Sequence, residues 1–286
     1  MAHGNRALLA EFGARGHVAA RLALALATAI VLTSSGHAIT AAKATPAEAP
    51  PSPLTWSVNL YNSSVVRFQN PDPNACVAAA TVSMLGIIAL NAISDTAPPV
   101  GSSLPTTTFR WGIDTTYATQ ESVMDFDRKH MTMYRGYKGS DPHGWRNALN
   151  YFGWGSMYAG VYKDASYPNF AAAAQATVDS LARTNKPVGI LGWWGGHAQY
   201  ITGYVVQGRD PRVSDKYTIV GVYLSDPLRE TSMPNVFITL SQWKNGPVGI
   251  EFTRYQQSGS VFPDPIDGQA GDIEWHNKWV IIEPVK

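Results

Sequence analysis

Residues 76–90 read CVAAATVSMLGIIAL, and this stretch decides what kind of fold the chain can adopt. It contains no proline, and its one ionisable side chain is the thiol of Cys76. Apolar residues fall on every face of a helix drawn through it, which predicts a helix buried inside a protein. The stretch is too short to cross a membrane and also carries Thr81 and Ser83.

Cys76 is the one cysteine in a chain of 286 residues, which excludes an internal disulfide and a zinc site built from several thiolates. The thiol follows a loop and opens the predicted helix, with Asn74 as the expected N-cap. The partial positive charge at a helix N-terminus favours a thiolate, so this position predicts a reactive cysteine. The alternative is a buried cysteine that serves as a small apolar side chain.

The N-terminal segment has the pattern of a secretory signal. Arg6, Arg15 and Arg21 precede the apolar run Leu22 to Thr33, and small residues follow it. We therefore expect a signal peptide over residues 1–42, a Pro/Ala linker over 43–54 and one domain over 55–286. The protein is expected to be secreted or bound at the cell surface, with no membrane contact after cleavage; a retained N-terminal anchor is the alternative.

The charge balance argues against a nucleic-acid partner. The formal net charge is +1 and charged residues make up 15% of the chain, so no basic footprint is present. The order of predicted elements is helix-rich first and strand-rich later, which indicates the α+β class. We expect helices over 76–90, 121–133, 145–152 and 169–184, and strands over 56–68, 157–162, 188–193, 197–206 and 217–224.

His197 is the best candidate base for the thiol. It opens a strand directly after Gly195-Gly196, which leaves room for another group to approach. Asp226 ends a later strand and is followed by Pro227, and a strand end can lie beside the start of its antiparallel neighbour. Asp226 is therefore expected to contact His197. Competing groups follow His197 in the chain: Asp210, Asp215 and Asn235.

Several motifs in a fixed order extend this interpretation. Gln69 lies seven residues before Cys76, and the later motifs are Lys186-Pro187-Val188, the strand start HAQYITGY at 197–204, and Leu224-Ser225-Asp226-Pro227. Over residues 65–245 the chain resembles the papain-fold cysteine peptidases related to the double-glycine leader peptidases, which process bacteriocins. The resemblance implies a papain-like fold, in which the helix opened by Cys76 packs on an antiparallel sheet that carries His197 and Asp226.

The same resemblance implies a role for each matched residue. Cys76 would be the nucleophile, His197 the base, Asp226 the residue that orients His197, and Gln69 a donor to the oxyanion. The expected activity is hydrolysis of a peptide or protein substrate, with no metal and no organic cofactor required.

The chain departs from the family pattern next to the thiol. Val77 stands where the family usually has Gly, and Ala78 stands where it often has Pro. This departure leaves open an inactive secreted module that binds peptide or glycan. An acyl transferase or an amidase on the same triad also stays open, because the sequence does not distinguish water from an amine as the acceptor. Trp193 and Trp194 beside His197 suit the binding module.

Overall fold

The computed structural model describes residues 53–67, 74–94, 119–133, 136–229, 232–247, 249–257, 262–266, 268 and 274–286. The strands in these ranges are β1 (Thr55–Asn59), β2 (Tyr162–Tyr167), β3 (Val188–Gly192), β4 (His197–Gly208), β5 (Tyr217–Ser225), β6 (Val236–Thr239) and β7 (Trp279–Pro284). The helices are α1 (Cys76–Ser94), α2 (Gln120–His130), α3 (Pro142–Trp154), α4 (Phe170–Thr184) and α5 (Leu240–Asn245). The predicted signal segment lies outside the described residues.

The strands form one antiparallel sheet in the order β2-β7-β3-β4-β5-β6. β4 is the longest of the described strands. Along one edge it pairs with two strands, with β3 in its first half and with β1 in its second half. Three helices, α1 to α3, come before β2 in the chain, and most of the strands follow them. The fold is therefore α+β with an antiparallel sheet, as predicted.

Alternate residues of the central strands face opposite layers, as the period of two in a strand requires. Leu191 and Tyr200 pack with α1 and α3, whereas Ile190 and Ile201 pack with α4. The sheet is therefore covered by helices on both faces. α1 is buried from Val77 to Ile88, which explains why the stretch has no polar face.

The helix ends follow local capping rules. The Asn169 side chain accepts a hydrogen bond from the Ala172 N–H at 2.9 Å, and Asn185 closes α4 in the left-handed conformation. Asp141 caps α3 in the same way by accepting from the Gly144 N–H at 2.8 Å. α3 thus begins three residues before its predicted start, and His143 lies buried in its first turn.

Two strand predictions are wrong in part. Residues 157–162, predicted as a strand, form a turn up to Gly160, and β2 begins at Tyr162. The Asn150 side chain causes this delay, because its oxygen accepts from the N–H groups of Val161 and Tyr162 and fixes the chain there. The first strand is also shorter than the predicted 56–68, since β1 ends at Asn59 and a turn follows.

No helix in the described part of the chain combines the length and the apolarity that a bilayer span requires.

Candidate active site

Cys76 is the first residue of α1 and lies half-buried in the wall of a surface pocket. The first hydrogen bond of the helix runs from the Ala79 N–H to the Ala75 carbonyl. Ala75 therefore occupies the N-cap position, and the prediction of Asn74 is wrong by one residue. First-turn N–H groups have no acceptor inside a helix, and that of Val77 donates to the Cys76 sulfur. The helix terminus thus faces the thiol with hydrogen-bond donors.

His197 is the first residue of β4 and lines the same pocket. Only 4% of it is exposed, and its ring is hydrogen-bonded to the Cys76 side chain. The indole of Trp193 lies beside the imidazole with 4.4 Å between ring centroids. These contacts fix the imidazole between the thiol and the interior of the protein.

The turn before His197 is a strained segment. Trp193 and Trp194 both have left-handed backbone conformations, with φ of 51° and 55°. Non-glycine residues rarely adopt such angles, and strain of this kind is found preferentially at functional sites. The turn is held from outside, because the Trp194 N–H donates to the Thr253 hydroxyl at 2.6 Å. Its effect is to place Trp193 against the imidazole.

Asp226 follows β5 and supplies the second partner of His197. Its Oδ1 lies 2.7 Å from His197 Nε2, which confirms the predicted contact. The Leu228 N–H donates to the same oxygen at 2.9 Å. With Nε2 occupied by Asp226, the ring nitrogen left to face Cys76 is Nδ1. Thiol, imidazole and carboxylate therefore form one hydrogen-bonded relay.

The relay shifts the pKa of each of its members. Burial raises the pKa of Cys76, but the hydrogen bond and charge of His197 and the N–H groups of Ala198 and Val77 outweigh it, so the pKa lies below its usual value. Burial lowers the pKa of His197, whereas the hydrogen bonds to Asp226 and Cys76 raise it to about 9. The arrangement therefore favours a thiolate–imidazolium pair between the two values.

Asp226 stays ionised in this relay although it is buried. Burial raises the pKa of Asp226, but the hydrogen bond and charge of His197, with the donors Leu228 N–H and Gln199, bring it below its usual range. Arg229 adds a positive charge, with its Nε 3.5 Å from Asp226 Oδ2. The carboxylate can therefore stabilise the imidazolium over the whole neutral range.

Gln199 is a site residue that the sequence interpretation missed. Its buried Nε2 donates to Asp226 Oδ2 at 3.0 Å and to the Gly249 carbonyl at 2.9 Å. Gln199 lies two residues after His197, so both side chains leave the same face of β4. That spacing was the available signal: a polar residue at i+2 from the base, in an otherwise apolar strand.

The other predicted candidates are placed as follows. Gln69 lies outside the described residues. Asp210 is paired with Arg212 in the loop between β4 and β5, at 2.6 Å. Asn235 accepts a hydrogen bond from the Thr202 hydroxyl at 2.9 Å. Neither Asp210 nor Asn235 contacts His197, so neither of them takes the place of Asp226 beside the imidazole.

Val77 stands beside the thiol, at a position where the chain departs from the pattern of the family that it resembles. Only 4% of Val77 is exposed, and it packs into the hydrophobic core with α1 and α3 neighbours such as Met84 and Leu149. The side chain therefore serves mainly as a core residue, while its backbone N–H serves the sulfur.

The geometry defines what the site can do chemically. A thiolate at a helix N-terminus is a nucleophile, and an imidazolium within hydrogen-bond reach can protonate a leaving group. N–H groups of the first helical turn offer a place for an oxyanion.

Comparison of the chain with protein-family models, with curated proteins and with solved structures finds no significant match to any of them.

Proposed function

We propose that the protein is a secreted cysteine peptidase with a papain-like fold, related to the double-glycine leader peptidases. The observation that carries the proposal is the relay from the Cys76 thiol through His197 to Asp226, with 2.7 Å between Nε2 and Oδ1. A cysteine at the start of a buried helix and a histidine at the start of an antiparallel strand support the papain-like arrangement.

The proposed reaction proceeds in two halves. The Cys76 sulfur attacks the carbonyl carbon of a peptide bond, and a tetrahedral oxyanion forms. The C–N bond then breaks while the His197 imidazolium gives its proton to the leaving amine. Water attacks the resulting thioester with neutral His197 taking its proton, and the C–S bond breaks to release the acid and restore the thiolate.

Two sets of donors are proposed to stabilise the oxyanion. The first is the Cys76 backbone N–H at the start of α1, where the helix dipole also favours negative charge. The second is the side chain of Gln69, on the resemblance given above. Loss of a single oxyanion donor costs about 3 kcal/mol of transition-state stabilisation in enzymes of this kind of chemistry.

The test is cleavage of a diverse peptide library, followed by mass spectrometry. Wild type is expected to cleave a subset of peptides, and Cys76→Ala is expected to cleave none while its circular dichroism and thermal unfolding stay near those of wild type. Thr177→Val, a change at a buried position of α4 on the other face of the sheet, serves as the matched control. Equal cleavage by Cys76→Ala and wild type would refute the nucleophile, and products carrying an added amine would indicate a transferase.

A further inference from the structure

A second cluster of ionisable side chains lies apart from the relay. His143 in the first turn of α3 is completely buried, and its Nε2 faces three carboxylates. The distances from Nε2 are 2.9 Å to Glu274 Oε2, 3.5 Å to Asp164 Oδ2 and 3.6 Å to Asp264 Oδ2. The peptidase reaction uses none of these four side chains.

Hydrogen bonding on the far side of the His143 ring fixes Nδ1 as a nitrogen that carries a hydrogen. The Thr132 hydroxyl lies 2.9 Å from His143 Nδ1 and donates its proton to Asp141 Oδ2 at 3.0 Å. Because this proton is used, Thr132 can only accept from His143, and Nδ1 carries the hydrogen. When His143 is neutral, it therefore presents the lone pair of Nε2 to the three carboxylates, and when it is protonated, Nε2 can form an ion pair with Glu274.

The facing atoms do not satisfy one another. His143 Nε2, Glu274 Oε2 and Asp264 Oδ2 are buried and make no hydrogen bond within the described part of the chain. Nε2 and Glu274 Oε2 are 2.9 Å apart, which is an ion-pair distance for a protonated His143, but the two groups are not aligned as a hydrogen bond. Buried polar atoms are nearly always paired, so atoms directed at a common space rather than at each other indicate a ligand there.

With His143 neutral, the charges that the described residues bring to this space are unbalanced by two units. Asp164, Asp264 and Glu274 bring three negative charges. Arg146 neutralises one of them, because its guanidinium bonds Asp164 Oδ1 at 2.6 Å and Asp264 Oδ1 at 2.9 Å. A buried excess of two negative charges beside a neutral imidazole is what a divalent cation would compensate.

We propose that His143, Asp164 and Glu274 bind a divalent transition-metal ion, with Zn²⁺ as the best fit, and that Asp264 completes the set. The ligand atoms of the first three lie within 4.8 Å of one another. Ligands around one zinc ion are roughly 3 to 4 Å apart, given metal–ligand distances of about 2.0–2.2 Å. An imidazole nitrogen among the ligands favours zinc over Mg²⁺ or Ca²⁺, which prefer oxygen alone.

The surroundings match those of established metal sites. A ligating histidine usually donates its other N–H to an oxygen, as His143 does to Thr132. Asp164 Oδ2 accepts from the Trp275 indole N–H at 3.1 Å, which orients that carboxylate. The Glu274 side chain is 16% exposed and offers an entry path. The ion would join α3 and β2 to the segment that leads into β7, so its role is structural.

The test is zinc binding to the chelator-treated protein in a Cys76→Ser background, since the thiol and His197 could themselves hold zinc. Isothermal titration with ZnCl₂ is expected to give one ion per chain, and thermal unfolding is expected to shift upward by several degrees. In Glu274→Gln, affinity is expected to fall by more than the roughly 10- to 100-fold that loss of a supporting partner costs. The partly exposed Glu274 makes this variant tolerable for folding.

Asp179→Asn is the matched control, because the Asp179 side chain is 17% exposed and lies on α4. It is expected to bind zinc as the Cys76→Ser parent does. The proposal is overturned if the parent takes up no zinc, if Glu274→Gln binds it equally well, or if CaCl₂ and MgCl₂ bind more tightly. The readouts do not depend on peptidase activity, so this proposal can fail while the proposed function stands.

Discussion

Asp226 Oδ1 lies 2.7 Å from His197 Nε2, although the two residues are 29 positions apart in the chain. The sheet brings them together, because β4 and β5 are antiparallel neighbours with Tyr200 paired to Ser225. The start of one strand therefore lies beside the end of the other, and the Asp226 carboxylate reaches the His197 ring. The relay is a consequence of this register.

Replacement of Asp226 should distinguish orientation from charge. In Asp226→Asn the amide oxygen can still accept from His197 Nε2 and from the Leu228 N–H, whereas Asp226→Ala leaves both donors unpaired. We expect kcat/KM for peptide cleavage to fall by about 10²-fold or more in the alanine variant, within the range of general acid–base effects. The asparagine variant should retain clearly more activity.

Asp210→Ala and Asp215→Ala are the controls for this pair, since Asp210 is engaged with Arg212 in a polar loop. Both should stay near wild type. Equal activity of Asp226→Ala and wild type would remove Asp226 from the mechanism.

The pH dependence of cleavage should be bell-shaped. Thiolate exists only above the lowered pKa of Cys76, so kcat/KM should rise at a pH below the usual thiol range. Imidazolium exists only below the raised pKa of His197, so cleavage should decline again near pH 9. Alkylation by iodoacetamide needs the thiolate alone and should not decline there. A parallel decline of both rates would contradict the role of imidazolium as proton donor.

Gln199 is predicted to act as a positioning residue through Asp226. Gln199→Leu leaves Asp226 Oδ2 and the Gly249 carbonyl without this donor, at a cost of about 1–3 kcal/mol in unfolding free energy. We expect kcat to fall with little change in KM, and the alkaline limb of the pH profile to move. Gln175→Leu is the control, because Gln175 lies on α4 and its side-chain amide donates to the Tyr217 hydroxyl. This variant should leave the pH profile of cleavage unchanged. An unchanged profile in Gln199→Leu would refute the assignment.

Gly195 is required by the turn before His197. Its φ is 86°, and a Cβ there would overlap the ring of Tyr255. Gly268 has a φ of 77° with open space around it, so Gly268→Ala measures the conformational cost alone. We expect Gly195→Ala to lower the unfolding free energy by about 1–3 kcal/mol more than Gly268→Ala does, because of the overlap. Equal effects in chemical denaturation would show that the contact with Tyr255 is relieved without cost.

The sequence predicted the elements whose local patterns are strong. α1 follows from a run of apolar residues without proline, and α4 from Asn169 and Asn185 at its two ends. β3, β4 and β5 have apolar, β-branched sequences, and their predicted starts are the observed ones. In each case the local preference and the tertiary environment agree.

The missed elements depend on partners elsewhere in the chain. β2 reads YKDASY, with little apolar character, and it is a strand because β7 pairs with it along its whole length. β7 is an exception, because it was not predicted although its sequence WVIIEP has the apolar, β-branched pattern of a buried strand. α5 has six residues, too few for a helical period to show.

One part of the relay could be predicted from the sequence, and the rest could not. The contact of Asp226 with His197 follows from strand ends in an antiparallel sheet, which the order of the motifs suggests. Arg229 lies three residues after Asp226, with its Nε 3.5 Å from Oδ2, so that contact is local. The Arg229 guanidinium also lies 5.9 Å from the indole centroid of Trp193, and no local pattern encodes this second contact.

The proposed reaction requires that Cys76 exists as a thiolate stabilised by His197. Because the chain has one cysteine, the ultraviolet absorbance of thiolate, measured against Cys76→Ser across pH, reports this residue alone. We expect a transition in wild type below the usual thiol pKa of about 8.5. In His197→Ala, where burial acts without the imidazolium, the transition should lie at or above that value. A wild-type transition at or above about 8.5, unmoved by His197→Ala, would show that His197 does not stabilise the thiolate.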